Sequence, residues 1–256
     1  MPLVKDKIAL VTGAGAGIGR ATAQKFAEEG AKVVVSDIDP VGGNDTVDLV
    51  VASGGEAVFV EADVSNESQV ANLLEKTIAQ FGRLDCACNN AGIEGKIAPI
   101  VDQEVASFDR VLSVNLRGVF LTLRAEIAAM LKTGGGAIVS LSSVAGLIGF
   151  PGLSPYVATK HGVNGLTKNA ALEYAKEGIR VNSICPGGID TRMLDSLVEQ
   201  TSGGSMETSE MMAPLHPIGR IGTAEEVANL IVWLCSDQAS FVTGAHVPID
   251  GGYVAQ

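Results

Sequence analysis

A glycine-rich turn between an apolar segment and an amphipathic one, close to the start of the chain, constrains the fold more than any other feature. The apolar run Ile8–Thr12 predicts a buried strand, and the apolar spacing of residues 18–29 predicts a helix. Glycine lets main-chain amides approach a phosphate at a helix N-terminus. Strand, glycine turn and helix in this order predict the first unit of a parallel α/β sheet. The glycines of the turn are Gly13, Gly15, Gly17 and Gly19.

The alternation of short apolar runs with longer amphipathic stretches continues along the chain. It favours parallel strands joined by crossover helices over an all-α or all-β fold. With 256 residues and 46% hydrophobic content the chain can bury one sizeable core, so we expect a single domain over residues 1–256. Further strands are predicted at 31–36, 57–60, 84–88, 137–141, 180–184 and 246–249, and further helices at 41–52, 67–81, 101–113, 116–132, 156–177 and 223–235.

The pattern weakens over residues 191–217, which are rich in Ser, Thr, Gly, Glu and Met. No single strong helix is predicted there. Because long irregular segments in compact α/β domains usually serve function, we interpret this one as a mobile substrate lid, with a solvated insertion as the alternative.

The charge balance excludes two classes of partner. A formal net charge of −11 argues against a nucleic-acid surface and against docking of acidic carrier proteins. No apolar run is long enough for a membrane helix, and Lys5, Asp6 and Lys7 interrupt any signal-peptide core. We therefore expect a cytoplasmic protein that binds neither nucleic acid nor membrane.

The cysteines and histidines predict no metal site. Cys86 and Cys88 share a strand face, but no second pair stands at ligand spacing, so the cysteines are interpreted as core residues. His161 is interpreted as a packing or interface residue. The remaining residues of these types are Cys185, Cys235, His216 and His246.

The glycine spacing differs from the usual dinucleotide fingerprint. G-x-G-x-x-G fails because Ile18 occupies the sixth position from Gly13, whereas Gly13, Gly17 and Gly19 fit a looser pattern with the same physical role. A glycine loop alone is a weak signal, but its position between a strand and a helix strengthens it.

An acidic residue follows the second predicted strand. Asp37 stands eighteen residues after Gly19, where a carboxylate can accept hydrogen bonds from the adenosine ribose hydroxyls and repel a 2′-phosphate. The positions at which a basic residue would bind that phosphate hold Ala16 and Ile38. The pattern favours NAD over NADP; the alternative for Asp37 is a solvated charge at a strand end.

A tyrosine and a lysine lie one helical turn apart in Tyr-Val-Ala-Thr-Lys. On a helix, Tyr156 and Lys160 share a face, so an ammonium can lower the pKa of the phenol and make it a usable acid and base. Taken alone, such a pair is more often a buried tyrosine beside a surface lysine. Ser143 stands thirteen positions before the tyrosine and supplies a hydroxyl that could bind a substrate oxygen.

With the glycine turn, Asn-Asn-Ala-Gly at residues 89–92, Ser143, the Tyr-x-x-x-Lys pair and Pro186-Gly187 taken together, the chain resembles the short-chain dehydrogenase/reductase family over nearly its whole length. The resemblance implies a doubly wound (Rossmann) parallel sheet of seven strands, with helices on both faces. It also implies assembly as a homotetramer.

The resemblance also implies roles for matching residues. Asn115 would kink a helix and hold a water in a proton path that includes Lys160. Ser143 and Tyr156 would bind the reacting oxygen, with Tyr156 as general acid and base. The implied cofactor-binding residues are Gly13, Gly17, Ile18, Gly19, Asp37, Asp63, Val64, Asn90, Ala91, Gly92, Tyr156, Lys160, Pro186, Gly187, Ile189 and Thr191.

These expectations describe an NAD-dependent short-chain alcohol dehydrogenase or ketone reductase. Its substrate would be a small secondary alcohol or its ketone, with cyclic alcohols and diols among the candidates. Two alternatives stay open: a 3-ketoacyl reductase acting on a carrier or coenzyme A thioester, and a non-catalytic NAD-binding scaffold. A methyltransferase would use the glycine loop but would leave the tyrosine-lysine pair without a role.

Overall fold

Seven parallel strands form one sheet in the computed structural model, which describes residues 2–203 and 205–256. Their order is β3-β2-β1-β4-β5-β6-β7, with every neighbouring pair parallel. The expected seven-stranded parallel sheet is therefore confirmed. The strands are β1 Ile8–Thr12, β2 Lys32–Asp37, β3 Glu56–Glu61, β4 Cys86–Asn89, β5 Gly136–Leu141, β6 Ile179–Pro186 and β7 His246–Ile249.

Helices cover both faces of this sheet, because its strands carry apolar side chains on both sides. Phe26 of α1 and Ile231 of α9 lie in one core cluster, and Leu73 of α3 and Ile127 of α5 in the other. The helices are α1 Gly17–Glu28, α2 Pro40–Ala52, α3 Glu67–Phe81, α4 Val105–Leu112, α5 Gly118–Met130, α6 Ser154–Tyr174, α7 Arg192–Ser202, α8 Thr208–Met212 and α9 Ala224–Cys235. None of the helices within the described ranges combines the length and apolar character needed to cross a bilayer.

The strand order reverses at β1, which has β2 on one side and β4 on the other. In doubly wound sheets, the loops that leave such neighbouring strands diverge to opposite faces and open a crevice at the strand ends. The glycine turn after β1 and the Asn-Asn-Ala-Gly segment after β4 both lie at this point. The fold thus brings the predicted cofactor segments together at the carboxyl ends of the strands.

Two predicted helices differ from the structure. The segment predicted as a helix from residue 101 begins its helix only at Val105, because Ile100–Asp102 form a separate short 3₁₀ turn whose apolar residues are exposed. In the sequence, these apolar residues have the spacing of a buried helix face, and the helix was therefore predicted to begin too early. The predicted break between two helices is also wrong: Ser113–Arg117 form a π-helix that joins α4 to α5 without interruption.

The prediction of no strong helix over residues 191–217 is wrong. Thr191 caps α7 by accepting a hydrogen bond from the backbone N–H of Leu194, and Gly203 ends the helix in the left-handed conformation at φ 62°. Leu194 and Val198 are the buried residues of this helix, so its apolar stripe is too narrow to stand out in the sequence. A second, short helix, α8, follows. Gly204, inside the predicted lid, lies outside the described residues.

One carboxyl group, that of Glu126, is buried among apolar side chains between α5 and β4. Glu126 is fully buried, and its Oε2 accepts a hydrogen bond of 2.9 Å from Asn89 Nδ2. Burial raises the pKa of this carboxyl to about 7, while the hydrogen bond from Asn89 acts in the opposite direction. The folded chain therefore holds this proton near neutral pH, whereas the unfolded chain releases it near pH 4.5.

We predict that Glu126 makes the protein less stable as pH rises through this window. Because the native state binds the proton more tightly, the free energy of unfolding falls between pH 4.5 and pH 7, by about 3 kcal/mol in total. Urea unfolding of Glu126→Gln at pH 5 and pH 8 should lack this component. Exposed Glu75→Gln on α3 is the matched control; equal pH dependence in both variants would contradict the assignment.

Candidate active site

The glycine turn after β1 leaves the first turn of α1 open to an anion. Ala16 occupies the N-cap position and offers no side-chain acceptor, so the amides of the first turn remain available. A Cβ on Gly19 would overlap the carbonyl oxygen of Gly13, and a Cβ on Gly13, at φ 63°, would lie 2.7 Å from Ala91 Cα. Close backbone packing therefore requires glycine at both positions. Ile18, between the helix and the groove, is partly exposed.

The segment after β4 holds this turn in place. Asn90 Nδ2 donates hydrogen bonds to the carbonyl oxygens of Thr12 at 3.0 Å and Gly13 at 2.8 Å. The backbone amides of Asn90 and Ala91 donate in return to Thr12 Oγ1, at 3.1 and 3.3 Å. The side chain of Asn90 is thus engaged with the protein itself, and it sets the width of the crevice between the two loops.

Asp37 lies where the ribose ligand was predicted, at the end of β2 beside the glycine turn. Its Oδ2 accepts a hydrogen bond of 2.8 Å from the amide of Gly15, and its Oδ1 one of 2.9 Å from the amide of Asp39. These bonds fix the carboxylate and leave further lone pairs of both oxygens free to accept from hydroxyl groups. Gly15 is a site residue that the sequence analysis missed; its place among alternating glycines was the available signal.

Arg20 is a second residue that the sequence analysis missed. Its Nε donates to Thr46 Oγ1 at 3.0 Å, and its guanidinium also hydrogen-bonds the carbonyl oxygens of Gly15 and Gly42. These contacts bind the start of α2 to the glycine turn. A cation directly after Gly19 was a visible signal, but its donors are directed to main-chain oxygens.

The Asp63-Val64 pair follows β3, as predicted. Asp63 Oδ1 accepts hydrogen bonds from the amide and the hydroxyl of Ser65, at 2.8 and 2.7 Å. Val64 is buried, and a Cβ on Gly118 would lie 2.9 Å from its Cγ2. The side chain of Val64 therefore packs into the core beside Gly118.

The loop after β6 closes the other side of the crevice. The amide of Gly187, next to Pro186, donates to Ile249 O at 3.1 Å, and Ile189 is buried beside Gly222. A Cβ on Gly17 would lie 3.3 Å from Thr191 Cγ2, so the first and last predicted cofactor segments meet here.

Tyr156 and Lys160 share one face of α6, as their spacing predicted. Lys160 Nζ lies 5.3 Å from the centre of the Tyr156 ring and donates a hydrogen bond of 2.7 Å to Leu141 O. Lys160 is buried, whereas Tyr156 is partly exposed. The neighbouring serines differ: Ser142 Oγ donates to Lys160 O at 3.1 Å, and Ser143 lies beside the phenol of Tyr156. Ser142 therefore positions the helix, and Ser143 faces the predicted reaction centre.

Burial dominates the protonation of this pair. It raises the pKa of Tyr156 to about 12, while a hydrogen bond with the Ser143 side chain lowers it and the charge of Glu94 raises it further. Burial also lowers the pKa of Lys160 to about 8. Lys160 is not among the groups that shift the pKa of this phenol, and its ammonium is directed to Leu141 O. The lowering of that pKa by Lys160 together with a bound nicotinamide ring stays a prediction.

Asn115 lies in the π-helix, which agrees with the predicted irregularity. Its Nδ2 donates to Ile93 O at 2.7 Å, and its Oδ1 accepts from the amide of Ile93 at 2.8 Å. Gly92 sits between two polar groups: a Cβ there would lie 3.3 Å from Asn115 Oδ1 and 3.8 Å from Lys160 Nζ. The main chain at residue 93 thus holds the Asn115 amide, and Gly92 leaves room beside Lys160 Nζ.

The comparisons with known proteins agree with this geometry. A family model described as Enoyl-(Acyl carrier protein) reductase matches residues 13–254. The chain belongs to the short-chain dehydrogenase/reductase family. It is 45% identical to cyclohexanol dehydrogenase of Acinetobacter sp. (strain SE19) over 98% of this chain and 96% of that protein, and 43% identical to levodione reductase of Leifsonia aquatica over 98% and 95%.

Two crystal structures of this family match the whole fold. A levodione reductase superposes with a TM-score of 0.95 at 42% identity, covering 98% of each chain. Carveol dehydrogenase from Mycobacterium avium, in complex with NAD, also gives 0.95, at 28% identity and full coverage of both chains. As a family member, this short-chain dehydrogenase/reductase is an oxidoreductase that interconverts alcohols and ketones with a nicotinamide cofactor.

Proposed function

We propose that this enzyme interconverts a cyclic secondary alcohol or diol and the corresponding ketone, with NAD as its cofactor. The observation that carries this proposal is that the Ser143 and Tyr156 hydroxyls lie side by side, with Lys160 Nζ 5.3 Å from the centre of the Tyr156 ring. Relatives named for cyclohexanol, levodione and cis-4-hydroxycyclohexanecarboxylate, all built on a six-membered ring, support the substrate class.

Side chains of this protein would transfer the proton to and from the substrate oxygen. With a pKa of about 12, the phenol of Tyr156 is protonated at neutral pH and can give its proton to the oxygen of a ketone. Ser143 would bind the same oxygen and stabilise the charge that develops there. Lys160, with a pKa of about 8, can restore the proton to the phenol, and Asn115 would hold the water that links Lys160 to solvent. The bound nicotinamide would supply or accept the hydride.

The groove fits a dinucleotide. The glycine turn offers unblocked helix amides to a pyrophosphate, and the fixed Asp37 carboxylate suits two ribose hydroxyls. We infer that NAD is preferred over NADP because that carboxylate would repel a 2′-phosphate, while the nearby guanidinium of Arg20 is already bound to three acceptors. The net charge of −11 disfavours an acidic carrier protein as the bearer of a ketoacyl substrate.

We further propose that the chain is a single cytoplasmic domain in which residues 191–217 cover the substrate. Helix α7 packs through only two buried side chains, so little apolar area would be lost on its displacement. The four cysteines are free and buried thiols, which suits a reducing compartment.

An apolar groove on α4, α5 and α6 supports the proposal of a homotetramer. The groove has a volume of about 730 Å³, and its apolar lining continues across all three helices. Gly162 and Gly165 keep the surface of α6 low, so that a helix from a second copy can approach closely. The lining includes Leu112, Leu116, Phe120 and Leu166.

We predict that Tyr156→Phe retains NADH binding but loses turnover by on the order of 10²-fold or more, since phenylalanine has no proton to transfer. NADH fluorescence titration measures the first property, and absorbance of NADH with a cyclic ketone measures the second. Tyr174→Phe makes the same chemical change near the other end of α6 and should leave both unchanged. Wild-type rates from Tyr156→Phe would remove Tyr156 from the mechanism.

We predict that Asp37→Ala narrows the preference for NAD over NADP. Loss of the carboxylate removes both the ribose acceptor and the repulsion of a 2′-phosphate. The ratio of kcat/KM for the two cofactors tests this, with Asp39→Ala as the control that removes the neighbouring carboxylate. An unchanged ratio in Asp37→Ala would show that another residue sets the selectivity.

We predict that Gly165→Arg lowers the oligomeric state without unfolding the chain. A Cβ at Gly165 meets no atom within 4 Å, so the monomer can accept the side chain, whereas a partner helix could not. Light scattering after gel filtration should show a smaller mass than for the wild type. Gln80→Arg adds the same charge at an exposed position of α3 and should keep the wild-type mass. A tetramer in both variants would refute the proposed interface.

A further inference from the structure

Three aromatic rings from distant parts of the chain meet at one place in the fold. The rings of Phe150 and Tyr253 are stacked, with centroids 5.9 Å apart and planes 18° apart. The ring of His216 contacts the same tyrosine, with centroids 5.3 Å apart. Phenylalanine, tyrosine and tryptophan make up only 4% of this chain, so the stacking of two of them from distant segments is informative.

The stack connects two segments that are next to predicted site residues. Phe150 belongs to the segment that joins Ser143 and Tyr156. His216 lies at the end of the proposed lid, and its Nε2 accepts a hydrogen bond of 2.9 Å from the amide of Gly188, in the loop after β6. The rings therefore link the segment before Tyr156 to the loop after β6.

The carboxyl-terminal segment is held firmly in this position. Asp250 accepts hydrogen bonds from the amides of Gly252 at 3.0 Å and Val254 at 2.9 Å, and so fixes the turn that carries Tyr253. Gln256 Nε2 donates to Leu215 O at 3.3 Å. His216 is fixed as well, because its Nδ1 donates to Met212 O at 2.8 Å while its Nε2 accepts.

We propose that the stacked rings of Phe150 and Tyr253 form an apolar wall of the substrate site, and that Tyr253 is a specificity-determining residue that favours ring-shaped over open-chain secondary alcohols. This inference rests on the proposed function. A flat aromatic face matches the broad face of a six-membered ring, and a rigid ring loses less torsional freedom on binding than an alkyl chain does.

The test compares cyclohexanol with 2-hexanol, which have the same number of carbon atoms. In Tyr253→Leu, which keeps an apolar side chain but removes the flat face, we expect the ratio of kcat/KM for cyclohexanol over 2-hexanol to fall about 5-fold. The loss should lie mainly in KM for cyclohexanol. Tyr253→Phe keeps the ring and should stay within about 2-fold of the wild type. An unchanged ratio in Tyr253→Leu, or equal losses for both alcohols, would overturn the proposal.

A binding measurement separates this inference from the proposed function. Calorimetric titration of the NAD-loaded protein with cyclohexanone and 2-hexanone needs no turnover. If the wild type and Tyr253→Phe bind cyclohexanone more tightly than 2-hexanone, and Tyr253→Leu loses this difference, the result would support the wall. Absence of turnover of both alcohols by the wild type would refute only the proposed function. Equal binding of the two ketones by the wild type, or no binding of either, would overturn the wall. NADH affinity should be the same in all three proteins; a loss confined to Tyr253→Leu would assign the residue to the cofactor site instead.

Discussion

The hydrogen bond from Lys160 Nζ to Leu141 O connects α6 to the sheet, and the geometry of the candidate site depends on it. Leu141 ends β5, so the bond fixes α6 against the strand from which Ser143 follows. Ser142 adds a second bond, from its hydroxyl to the main chain of Lys160. Because both contacts are buried, leaving either group without its partner would cost about 1 to 3 kcal/mol. The same lysine thus fixes the helix that carries the phenol of Tyr156.

The half of the crevice that is predicted to hold the cofactor is built mainly from main-chain contacts. Asn90 holds the glycine turn, the amide of Gly15 holds Asp37, and Arg20 joins the start of α2 to the same turn. The two halves meet where Thr191 approaches Gly17. Side chains that appeared to be ligands in the sequence, such as Asn90, serve first to shape the groove.

The parts of the structure that are regular in sequence are also the parts that could be predicted. Parallel strands buried on both faces give continuous apolar runs, and glycine stops such as Gly82, at φ 80°, mark helix ends. Spacing on one helix placed Tyr156 and Lys160 together. Helix α7 was missed because only Leu194 and Val198 are buried. The protonation of the phenol could not be predicted, since it depends on where the ammonium of Lys160 points and on how far both groups are desolvated.

The π-helix that contains Asn115 accommodates one more residue per turn than an α-helix would. Each residue advances an α-helix by about 100°, so this extra residue sets the phase between two surfaces. Before it, the helix presents Val111 to the interior; after it, Leu123 and Ile127 line the core. Deleting a single residue here would rotate the amide of Asn115 away from Ile93 or turn the apolar side of α5 outward. The length of this segment therefore sets the orientation of Asn115 and of the buried face of α5 together. An insertion or a deletion here would disturb one of the two.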